Sequence, residues 1–98
     1  MNRTTHSILE QLIALAMSLL DCGQYDLAEA ALMELGTLAP DRPITWGGAC
    51  LAALLSGHPK RAEAHLARLY HRHPTLPLTN RLEDMVAERK ASMQTQRP

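Results

Sequence analysis

Five histidines and two cysteines are the side chains of this 98-residue chain most suited to binding a metal or attacking a substrate. Imidazole nitrogen and thiolate sulfur are the usual ligands of zinc, and on a helix they must share one face at spacings of three or four residues. His65, His71 and His73 are separated by six and two, with Cys50 further back. That spacing argues for histidines solvated on a basic outer face rather than for a metal centre. No Ser, Cys or Glu stands in a recognisable nucleophile or acid–base setting. The expectation is therefore a chain with no catalytic residue, no metal and no cofactor, which does its work by binding.

The composition narrows what could be bound. Ten basic and ten acidic residues cancel, so no overall field favours nucleic acid or anionic lipid. Aromatics make up only 3%, leaving few surfaces on which bases could stack. The longest apolar run, Leu12 to Leu20, is interrupted by Ser18 and is about half the length that crosses a bilayer. Met1 to His6 leads into no signal-peptide cleavage pattern, and a cytoplasmic protein without membrane contact is expected. Cys22 and Cys50 are too few for a disulfide framework and read as free thiols. Charge is unevenly placed: Cys22 to Asp41 holds four acidic residues and no Lys or Arg, whereas Arg42 to His73 holds five basic residues against Glu63. Such faces are commonly just solvated, but the bias could orient a partner or promote head-to-tail self-association.

The elements that must position any site follow from an internal repeat. Gly23, Ala28, Leu32, Leu35 and Pro40 recur 34 positions later as Gly57, Ala62, Leu66, Leu69 and Pro74. Gly23 and Gly57 suit a chain reversal that needs positive φ. Ala28 and Ala62 let two antiparallel helices approach closely, and the leucines fill the space between helices. Pro40 and Pro74 end each unit, while Pro43 and Pro77 suit the first turn of the next helix. Cys50 falls where this pattern wants a small buried residue.

Five helices are predicted in a single domain. Ser7 and Glu10 form a capping-box signature, placing the first helix over 8–21. The others are expected over 24–38, 43–56, 59–72 and 78–89. Repeat 1 thus covers about 8–40, repeat 2 about 43–74 and a solvating cap about 78–90, leaving 91–98 as a frayed polar tail. The fold class is all-α: two tandem helix-turn-helix repeats plus a C-terminal capping helix. The first and third helices are apolar on nearly every side, more than one core can use.

The 34-residue period, with Trp46 where the motif begins its first helix, resembles the tetratricopeptide repeat. In that family the first helix of each unit lines a concave groove and the second forms the convex back. Carried over by register, the groove positions are Ile13, Met17, Leu20, Ile44, Gly47, Leu51, Leu54, Leu78, Arg81 and Met85. One tetratricopeptide class grips a C-terminal carboxylate with lysine and asparagine; Ile13, Met17, Gly47 and Leu51 occupy the corresponding places here, so no such clamp forms. An apolar groove suits an amphipathic helix, unless two tightly wound repeats simply bury these side chains against each other. Among small proteins of this type the chain resembles the needle-subunit chaperones of bacterial type III secretion systems. The resemblance implies sequestration of a self-polymerising subunit by its amphipathic helix, usually with a second small helical co-chaperone. The alternative is a scaffold or adaptor that self-associates or bridges proteins without an export client.

Overall fold

The computed structural model of the chain describes residues 3–95, and the side chains of residues 7–94. It contains five helices: α1 (Arg3–Asp21), α2 (Tyr25–Leu38), α3 (Pro43–Leu55), α4 (Pro59–Arg72) and α5 (Pro77–Thr95). The described residues include no strand, and the molecule is all-α. No helix is long and apolar enough to cross a membrane among the described residues.

Each hairpin turns by the same local mechanism. Gly23 and Gly57 have φ of 83° and 84°, where a Cβ is strained. The amide of Gly23 donates to Leu20 O and that of Gln24 to Leu19 O, and Gly57 and His58 repeat the pattern on Leu54 and Ala53. These paired bonds satisfy the last carbonyls of α1 and α3 and reverse the chain tightly. Pro43 and Pro59 begin α3 and α4, where their missing N–H costs nothing.

Two boundaries differ from expectation. Ser7 and Glu10 lie inside α1 rather than capping it, because the helix already starts at Arg3. No Gly or Pro stands between Arg3 and Ser7 to stop it. At the other end α5 continues to Thr95, through a stretch expected to fray. Residues 87–94 are mostly good helix formers, and Lys90 pairs with Glu63 of α4 at 2.9 Å. The remainder of the expected tail, 96–98, lies outside the described residues.

Consecutive helices pack in order, α1 on α2, α2 on α3, α3 on α4 and α4 on α5, with α5 also against α3. The core has two parts. Leu9, Ala16, Ala31, Leu32, Leu35, Ala39 and Ala49 form one between α1, α2 and α3. Cys50, Ala53, Leu54, Ala62, Leu66, Leu69, Leu82 and Val86 form the other between α3, α4 and α5. Trp46 packs against both and so ties the hairpins together. Ala28 and Ala62 are fully buried, as close helix contact requires.

Candidate functional site

The groove expected from the repeat register is carried by α1, α3 and α5, and its ten positions divide by burial. Met17, Leu78 and Arg81 are exposed, and Ile13, Leu20, Ile44, Leu51 and Met85 are partly buried. Ile13 and Ile44 lean on the first core cluster and Met85 on the second, so each gives one side to the core and the other to solvent.

Two positions are core instead. Leu54 is 5% exposed within the α3–α4–α5 cluster. Gly47 is buried, and a Cβ there would lie 3.2 Å from Leu78 and 3.7 Å from Leu69. The reason is rotational. Gly47, Cys50 and Leu54 follow one another at three and four residues and share the stripe of α3 turned to α4 and α5.

Leu55, by contrast, is 46% exposed although the register left it out. It follows Leu51 by four residues and therefore continues the open face of α3. That face opens onto a cleft of about 350 Å³ against α5, lined by Leu54, Leu55, Met85, Glu88, Arg89 and Ser92. The apolar wall with charged groups at its α5 edge can hold an apolar side chain, with polar contacts to fix its orientation.

The histidines are not all solvated. His65 is 3% exposed, and its Nε2 lies 2.8 Å from Glu29 Oε2 of α2. Arg68 Nη1 is 3.0 Å from His65 Nδ1. A guanidinium can only donate, so Nδ1 accepts and Nε2–H donates to Glu29. The ring also stacks on Trp46, centroids 5.9 Å apart and 16° from parallel. Both nitrogens are thus committed to structural bonds. Exposed His71 and partly buried His73 join no cluster of three or more potential metal ligands among the described residues.

The opposed charges of the two halves pair with each other across the hairpins, mostly at the surface. Arg61 reaches Glu29 at 2.9 Å and Asp26 at 3.1 Å, Arg42 reaches Glu10 at 3.4 Å, and Arg72 pairs with Asp41. The hydrogen bond to Glu29 is the largest influence on the Arg61 guanidinium and holds it above its ordinary pKa; desolvation, next in size, opposes it, and the charges of Glu29 and Asp26 add to the rise. Much of the bias along the sequence is therefore neutralised between hairpins.

Compared with protein families, curated proteins and solved structures, the chain matches none.

Proposed function

We propose that the chain is a non-enzymatic helix-binding module of tetratricopeptide type. Its concave face would hold the amphipathic helix of a small self-assembling secretion subunit, as the needle-subunit chaperones it resembles do. The observation that carries this reading is the row of apolar side chains left wholly or partly open on alternate helices: Met17 on α1, Leu51 and Leu55 on α3, and Leu78 and Met85 on α5. A subunit that polymerises through an apolar helix face must have that face covered until assembly, and a groove with anchors at helical spacing is suited to it.

Met17 and Leu55 are the residues on which to test this, because both are more than two-fifths exposed in the free chain. Met17→Glu and Leu55→Glu are expected to change its stability by less than about 0.5 kcal/mol. The same substitutions should cost the complex several-fold more, since a carboxylate would be buried without a partner. Leu66→Glu, in the core between α4 and its neighbours, should unfold the domain. The measurement is co-expression with the candidate subunit, recovery of the stoichiometric complex and thermal melts of each variant. Wild-type recovery with both groove variants would exclude the concave face as the binding surface.

A further inference from the structure

The charge pairing between the hairpins has one gap. On α4, Arg61, His65, Arg68 and Arg72 follow one another at four, three and four residues and share the stripe turned towards α2. Both ends of that stripe are matched by carboxylates: Arg61 and His65 meet Asp26 and Glu29, and Arg72 meets Asp41 just beyond α2. Arg68, between them, forms no ion pair among the described residues. These contacts show that α2 and α4 run in the same direction. Continuing along α2 from Glu29 at helical spacing, the residues that come level with Arg68 are Met33 and Gly36, and neither carries a charge.

A cavity of about 390 Å³ lies at this gap, lined by Trp46, Ala67, Arg68, His71 and Arg72. Trp46 and Ala67 supply its apolar surface, and every titratable side chain on it is basic. The Arg68 guanidinium is held from two sides, with its carbon 5.0 Å from the Trp46 ring centroid and Nη1 3.0 Å from His65 Nδ1. One of its five N–H donors is committed to His65, which leaves a fixed fork of the kind that suits a carboxylate. Arg72 stands four residues on, a spacing at which like charges repel, and Asp41 offsets only one of the two.

One unmatched positive charge beside a small apolar patch calls for one negative charge on a short apolar stem. We infer that this cavity takes the Asp or Glu side chain of an acidic peptide segment of another protein, its carboxylate held by Arg68 with Arg72 beside it. A phosphate monoester would bring two negative charges to one unmatched cation. Nucleic acid is disfavoured by the zero net charge and by a pair of guanidiniums where a long basic row is the usual footprint. The cavity shares no residue with the cleft between α3 and α5, so the inference does not depend on what the concave face holds.

Trp46 is the only tryptophan, so its emission reports on the site. Two peptides with blocked ends, one alternating glutamate with alanine and one alternating glutamine with alanine, are titrated against the whole chain. The glutamate peptide should change the emission saturably and bind at least about tenfold more tightly, because hydrogen bonds between charged groups exceed neutral ones by that order. The difference should shrink as salt rises. Arg68→Gln keeps a donor for His65 but removes the charge, and should weaken the glutamate peptide by about tenfold. Arg42→Gln, beside Glu10, should leave its affinity within about twofold. Asp41→Asn frees Arg72 and should tighten binding several-fold; poor folding cannot imitate a gain, so the test stays decisive if Arg68→Gln is unstable. Equal binding of the two peptides, equal losses in Arg68→Gln and Arg42→Gln, or no gain in Asp41→Asn would overturn the assignment. So would inorganic phosphate or a single-stranded oligonucleotide binding at Arg68 more tightly than the glutamate peptide, since the ligand would then be a phosphate group. Self-association in sedimentation that Arg68→Gln dissolves would overturn it as well, by making the occupant a second copy.

Discussion

Gly36 has no counterpart in the repeat pattern, yet it decides how the two hairpins meet. A Cβ added there would lie 2.6 Å from Trp46 Cη2 and 2.7 Å from Cζ2, too close to a rigid ring for either to give way. The indole is held from other directions by the stacked His65 ring and by Arg68, whose guanidinium carbon is 5.0 Å from the ring centroid. Its Nε1–H is buried without a partner, a cost of about 1–3 kcal/mol that the close fit of the ring has to outweigh. Gly36→Ala should destabilise the chain by about 1–3 kcal/mol through overpacking, less the ~1 kcal/mol that alanine adds to a helix interior. Trp46 is the only tryptophan, so its emission should shift in the variant as the thermal midpoint falls. A midpoint equal to the parent's would mean that the indole has room to move.

Between elements, the link from α2 to α4 depends on one buried carboxylate. Glu29 is 4% exposed and accepts from His65 and Arg61, while Asp26, Arg61, Asp41 and Arg72 work at the surface. Glu29→Ala leaves the His65 Nε2–H buried without an acceptor and should cost on the order of 1–3 kcal/mol. Arg61→Ala breaks a solvent-screened contact and should cost distinctly less. Denaturant unfolding of the two variants checks that order, and equal losses would mean that the network acts through charge rather than burial. The same pairing explains why the acid-rich α2 and base-rich α4 are not two free patches for a partner: each largely satisfies the other.

At the scale of the molecule, stability should fall in alkaline solution in part through Cys50. Burial in the α3–α4–α5 core pushes its thiol up from its ordinary value near 9 to about 12. In the folded chain the thiol stays neutral where the unfolded chain has already lost the proton. The Cys50 contribution is therefore complete below about pH 9 and declines as pH rises towards 12. Melting temperature against pH should fall less steeply above pH 9 in Cys50→Ala than in the parent; identical slopes would show that the thiol titrates alike in both states. Exposed Cys22 should meanwhile react with a thiol reagent in the folded protein, and Cys50 only after unfolding.

What could be read from the chain was set by covalent geometry and by short spacing. A missing Cβ at Gly23 and Gly57 permits the positive φ of the turns, a missing N–H at Pro43 and Pro77 is harmless only in a first turn, and Ala28 and Ala62 allow contact whatever lies opposite. These properties depend on a few neighbours along the chain, so the helix order, the two turns and the all-α class followed from them. Which side of α3 meets α4 and α5, and hence that Gly47 and Leu54 are core while Leu55 is open, depends on how the helix is rotated against partners distant in sequence. The burial of His65 required Glu29, 36 residues away, and Trp46 required the hollow at Gly36. Rotation about a helix axis and pairing between hairpins are settled by the packing of whole surfaces, and only the tertiary structure resolves them.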